Sequence, residues 1–183
     1  MKAAFLNNEI WVLTFGGGFQ RANVYKEKIP EPVRKEFREA LRDKIEALVA
    51  KDYHTKVSEE VHVKNIQSIV DFSNKEQIQG YTIPINFGVA QKLFNLYLKY
   101  LWCSDKLATT PVHFPVDRLI QTKLNEEAKE AGIQRRELKA WTQFEDEKEY
   151  LEVIRFAEKV QEKSTKYQDV PLAEMELEMF NRR

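Results

Sequence analysis

The chain has 183 residues, enough for one domain with a buried core or for two small lobes that share one. Hydrophobic residues make up 43% and charged residues 32%, with only six Gly and six Pro, which excludes disorder and fibrous repeats. Lys plus Arg equals Asp plus Glu at 29 each, so any basic surface is local, and the single cysteine, Cys103, excludes a disulfide framework, a multi-cysteine zinc site and a four-thiolate cluster.

One cysteine suits a reducing cytoplasm. No apolar run approaches the roughly 20 residues of a membrane span, and Met1 to Leu6 run at once into Asn7, Asn8 and Glu9, so neither a signal peptide nor an anchor is expected. Phe5, Ile10, Trp11, Val12 and Leu13 then read as a helix or short strand, which Gly16-Gly17-Gly18 is expected to end in a loop. The triplet lacks a following Gly-Lys-Ser/Thr and is no phosphate loop.

Residues 32–50 carry Val33, Phe37, Leu41, Ile45, Leu48 and Val49 at helical spacing behind Glu31 and Pro32, which suit a first turn. Ser58-Glu59-Glu60-Val61 resembles a capping box and starts a second helix through Val61, Ile66, Ile69 and Val70. Residues 74–86 read as a connection. Residues 88–102 form a helix that is apolar over most of its surface, so it should be the central one. Lys92, Asn95 and Lys99 make one polar stripe along it and point to a cleft.

Residues 104–114 form a loop; Pro115 then introduces a helix through Val116, Leu119, Ile120 and Leu124, with Asp117 in its first turn. Gly132 breaks the chain before the basic run at Arg135, Arg136 and Lys139. A last long helix starts near residue 145 with Tyr150, Val153, Ile154, Ala157 and Val160 on one face, and the tail beyond Pro171 forms a short amphipathic helix. The expected fold class is all-α: a compact multi-helix domain over residues 1–183, or two lobes divided near residue 80.

Gly88-Val89-Ala90-Gln91-Lys92 followed by Pro115-Val116-Asp117 resembles the helix-hairpin-helix DNA glycosylases over about residues 84–124. In that superfamily a tight Gly-Val-Gly hairpin leads into a helix, the nucleophilic lysine stands two residues after the second glycine, and a later Pro-Val-Asp carries the catalytic aspartate. Ala90 stands here in place of the second glycine, and Lys92 and Asp117 match the two reactive positions. The resemblance implies a helix-hairpin-helix-like centre, DNA as partner and an extruded base as substrate. It further implies that the backbone around Gly88, Ala90 and Gln91 meets a phosphate, bridged by a monovalent cation through its carbonyls; no other cofactor and no metal is implied.

The residue types suit that chemistry. A lysine amine attacks the sugar carbon that a departing base exposes, and an aspartate stabilises the positive sugar and relays a proton. Lys99 adds positive potential to the same cleft, and Asn95 and His113 are further candidates for substrate contact, His113 standing four residues before Asp117. Arg135, Arg136 and Lys139 are candidates for phosphate contact, with Trp141 nearby for stacking; a solvated helix face explains the same run. Asp117 equally suits a helix-capping role, and Lys92 a side chain that snorkels to solvent. His54 and His62 are read as capping or core residues and Cys103 as a buried small thiol. The alternatives are a non-enzymatic helical module that binds nucleic acid or protein, and a metal-independent hydrolase.

Overall fold

The computed structural model describes residues 1–25 and 28–180, and among these it contains seven α-helices, one 3-10 turn and no β-strand. The helices are α1 (Lys2–Phe19), α2 (Glu31–Asp52), α3 (Glu59–Lys75), α4 (Phe87–Cys103), α5 (Arg118–Glu130), α6 (Glu147–Lys163) and α7 (Leu172–Met179); the 3-10 turn is Trp141–Gln143. The fold is all-α, as the helical spacing of the apolar residues predicts.

Residues that compete with their own backbone open four of these helices. Ser58, Asn86, Asp117 and Asp146 each accept a hydrogen bond from the backbone N–H three residues on, which satisfies one of the donors a helix leaves unpaired at its start. α4 is buried along nearly its whole length, because α1, α3, α6 and the 3-10 turn surround it. One cluster of buried apolar side chains extends from Ile10 on α1 to Met179 on α7.

Gly16-Gly17-Gly18 does not end the first helix; α1 runs through it. The reason is tertiary. A Cβ on Gly17 would lie 2.7 Å from Leu96 Cδ1 and one on Gly18 2.8 Å from Leu93 Cγ, so the glycines let α1 approach α4 more closely than any side chain permits. Trp11 completes the seam by stacking on Tyr97 at 4.3 Å and donating its indole N–H to Glu46 on α2 at 2.7 Å. Gly16 faces open space. Gly16→Ala is therefore expected to stabilise the protein by about 1 kcal/mol, through helix propensity alone. Gly18→Ala should destabilise it by about 1–3 kcal/mol, since Leu93 is fully buried and has nowhere to move. Urea unfolding of the two variants checks the opposite signs.

Two further expectations are corrected. Residues 134–139 are not a helix face but an irregular run, held where Asn125 bonds both the N–H and the carbonyl of Arg136. Cys103 is exposed rather than buried, because it falls in the last turn of α4, beyond the reach of the surrounding helices.

Candidate active site

Lys92 comes from the second turn of α4 and Asp117 from the residue that opens α5, and the fold brings Nζ to 2.6 Å from Oδ2. The register of that contact is set one residue earlier on each segment. Gln91 Nε2 donates to the Val116 carbonyl at 2.8 Å, and the Val116 N–H donates back to Gln91 Oε1 at 3.1 Å. This amide clamp holds the extended run before α5 along α4. Asp117 itself has extended backbone and divides its carboxylate, Oδ1 accepting the Ile120 N–H at 2.9 Å and Oδ2 meeting Lys92. The capping role and the lysine contact coexist on one side chain.

Both residues stand in the wall of a cleft of about 810 Å³, which α1 borders with Val12, Leu13, Phe15 and Phe19 and the chain end with Phe180. The Lys92 side chain is only 7% exposed. Burial pushes its pKa below the ordinary lysine value, although the Asp117 carboxylate pulls the other way. A second ion pair lies behind it: Glu176 of α7 accepts two hydrogen bonds from Lys99, at 2.9 and 2.7 Å, and burial raises the Glu176 pKa against that pull. Lys99 also sits 4.3 Å from the Phe180 ring centre. Glu176 favours the charged form of Lys92 and Lys99 disfavours it.

Glu176 and Phe180 escaped the sequence reading. The available signal for Glu176 was a carboxylate at the same helical spacing as buried Ala173 and Met179.

Asn95 and His113 line no part of this cleft. They meet on another side of α4, where the Asn95 amide donates to the Tyr150 hydroxyl at 3.0 Å and His113 Nδ1 lies 3.0 Å from the same oxygen. His113 Nε2 reaches Glu59 at 3.0 Å, and burial brings its pKa down to about 4. His62 lies beside it, ring centres 4.9 Å apart, bonded to the Tyr53 hydroxyl at 2.8 Å. Of the sequence candidates for substrate contact, only Lys99 adjoins the lysine cleft, through Phe180.

Gly88, Ala90 and Gln91 are fully enclosed within α4. The Gly88 N–H donates to the Phe144 carbonyl at 2.9 Å, and a Cβ there would overlap the Trp141 carbonyl. The Val89 N–H is held by Asn86 and the Asn86 carbonyl by the Ala90 N–H, so residues 86–90 form a capped first turn, not a hairpin with free groups. These residues do not fit a bridging cation. Arg135 is exposed; Arg136 pairs with Glu152 at 3.2 Å, Lys139 pairs with Glu149, and Trp141 is buried rather than placed for stacking.

Among the described residues no group of three or more His, Cys, Asp or Glu side chains is placed to hold a metal ion, and no helix is long and apolar enough to cross a membrane. No family model matches the chain, and neither the curated proteins nor the solved structures yield a match.

Proposed function

We propose that the chain is a DNA glycosylase-like protein that takes an extruded base and its sugar into the lysine cleft, with Lys92 as nucleophile and Asp117 as charge stabiliser and proton acceptor. The observation that carries this reading is the contact between a buried lysine and an aspartate at the wall of an open, aromatic-bordered cleft. Its volume of about 810 Å³ lies within the range of small-molecule sites. Burial favours the neutral, nucleophilic amine, and Asp117 Oδ2 is already at hydrogen-bond distance to take its proton. A helix-hairpin-helix-like centre, expected at Gly88-Val89-Ala90, belongs to the same proposal; what supports it is the succession of α3 and α4 about one short connection.

In the reaction Lys92 Nζ forms a bond to the anomeric carbon as the bond to the base breaks. The base leaves with the electron pair and takes up the proton that Asp117 drew from Lys92, and the freed carboxylate then accepts a proton from the new secondary ammonium and passes it to the ring oxygen as the ring opens. Ring opening then leaves an imine between Lys92 and the sugar, which water hydrolyses and borohydride reduces to a stable amine.

Borohydride trapping with lesion-containing oligonucleotides tests this directly. Wild type is expected to give a covalent adduct that Lys92→Gln abolishes, while binding of the same oligonucleotide persists. An adduct that survives in Lys92→Gln, or a folded wild type that forms none on any lesion or on abasic DNA, overturns the catalytic role. The second outcome favours a non-enzymatic binding module in which Asp117 serves as the α5 cap, a duty its Oδ1 already performs.

A further inference from the structure

A second cleft of about 380 Å³ adjoins the first. Gln20 and Asp117 line the lysine cleft, and the residues that follow them, Arg21 and Arg118, line the second, so the two share a ridge made by the end of α1 and the start of α5. The charges of the two differ. In the first cleft Lys92 is matched by Asp117; in the second, Lys139 is matched by Glu149, but Arg21 and Arg118 are exposed and their guanidinium groups have no hydrogen-bond or ion-pair partner among the described residues. None of the residues lining this cleft is acidic, while Thr142 and Gln143 offer it a hydroxyl and an amide.

Each arginine stands where another residue type suits the backbone better. Arg118 is the first residue of α5, where its positive charge opposes the helix dipole. Arg21 has φ of 67°, in the left-handed region that a side chain with a Cβ rarely adopts. An anion between the two guanidinium groups offsets the first of these conflicts.

We propose that this second cleft binds a phosphate group through Arg21 and Arg118. The proposal rests on the reading of the lysine cleft as a nucleotide site. A nucleotide whose sugar meets Lys92 carries phosphates on both sides of that sugar, and the ridge beyond Asp117 is where one of them meets the paired arginines. Guanidinium forks match phosphate oxygens in a bidentate manner, which a point charge does not. Phosphate of this kind comes from a nucleic-acid backbone or from a free phosphorylated molecule.

The test compares wild type with Arg21→Gln/Arg118→Gln and Arg21→Lys/Arg118→Lys, each checked for wild-type helical content. Fluorescence anisotropy with a labelled single-stranded oligonucleotide, between about 50 and 200 mM salt, is expected to show a log–log salt slope shallower by about 1.4 in the glutamine pair, for two lost phosphate contacts, and unchanged in the lysine pair. A second arm measures thermal protection by inorganic phosphate. If wild type binds no oligonucleotide but phosphate protects it, and the glutamine pair loses that protection, the site stands and its ligand is a free phosphorylated molecule. An unchanged salt slope in the glutamine pair, or an absence of both oligonucleotide binding and phosphate protection in wild type, overturns the site. Borohydride trapping of the same proteins reports on Lys92 separately: a reduced slope without any wild-type adduct removes the nucleophile and keeps the phosphate site, and an adduct with an unchanged slope does the reverse.

Discussion

Asp117→Asn is expected to slow base release by about 10²–10³-fold while leaving imine formation on a preformed abasic site intact or faster near neutral pH. The two effects separate because Asp117 acts on two groups. In the proposed reaction its carboxylate faces the positive charge that develops on the sugar as the base departs, and removing a preorganised charge of this kind acts on the transition state alone. It is also a principal influence holding the Lys92 pKa up against burial, both by charge and by hydrogen bond. Without it the amine is neutral at a lower pH, and a neutral amine is what attacks an aldehyde. Asparagine keeps the cap on Ile120, so the variant should lose only about 1–2 kcal/mol of stability; Asp117→Ala forfeits the cap as well and should lose about 1 kcal/mol more. The measurements are single-turnover base release, borohydride trapping on abasic DNA and urea unfolding of both variants. Base release and trapping that both stay at wild-type rates in Asp117→Asn reduce Asp117 to a cap.

The parts of the fold legible in the sequence are those where local and tertiary preferences agree. Along α2, Val33, Phe37, Leu41, Ile45 and Leu48 repeat at helical spacing and are all buried, and Pro32 opens the helix where its missing N–H is harmless. The triple glycine is the opposite case. Local propensity reads it as a break, but the approach of α1 to α4 requires the absence of Cβ, and packing prevails. The pairing of Lys92 with Asp117 was legible as two motif positions; the clamp between Gln91 and Val116 that sets it was not, since an amide in an apolar helix has no signature of its own.

The polar stripe on α4 divided for a geometric reason. At about 100° per residue, Lys99 lies within roughly 20° of Lys92 around the axis, whereas Asn95 lies roughly 60° away and nearer the side of Gln91. Lys92 and Lys99 therefore turn toward α5 and α7, where they find Asp117 and Glu176, and Asn95 turns toward Tyr150 on α6. His113 went with Asn95, because the loop before Pro115 folds back across α3 and places the ring between Glu59 and Tyr150. What looked like one substrate-facing set is a cleft beside Lys92 on one side of α4 and a buried hydrogen-bond chain on the other.

His113, at the centre of that chain, is expected to make the protein sensitive to acid. Between pH 7 and pH 4, His113 alone is expected to withdraw about 3 kcal/mol of stability. Glu59 only accepts, so His113 Nε2 carries the proton and donates to it, and Nδ1 accepts from the Tyr150 hydroxyl, whose oxygen in turn accepts from Asn95. A second proton on His113 must go to Nδ1, where it collides with the Tyr150 hydroxyl proton and leaves that group without an acceptor. Burial, with the Arg155 charge acting the same way, brings the pKa from the usual 6.5 to about 4, although the Glu59 carboxylate favours the charged ring. In the unfolded chain His113 takes up its proton near pH 6.5, so between these two values the unfolded state holds a proton the folded state lacks. Stability is complete above pH 6.5 and falls as the pH drops toward 4. His62, buried and pushed well below its usual pKa, acts in the same direction; Glu176, raised by burial, acts against it. Comparison with His113→Gln cancels the Glu176 contribution and the larger, burial part of the His62 one, leaving only the smaller part that the His113 charge exerts on His62. Urea unfolding of the two proteins from pH 7 to pH 4 should show the stability advantage of wild type shrinking by about 3 kcal/mol, with most of the change between pH 6 and pH 4.5. Parallel pH profiles for the two proteins would mean that His113 takes up its proton in the folded state as readily as in the unfolded one.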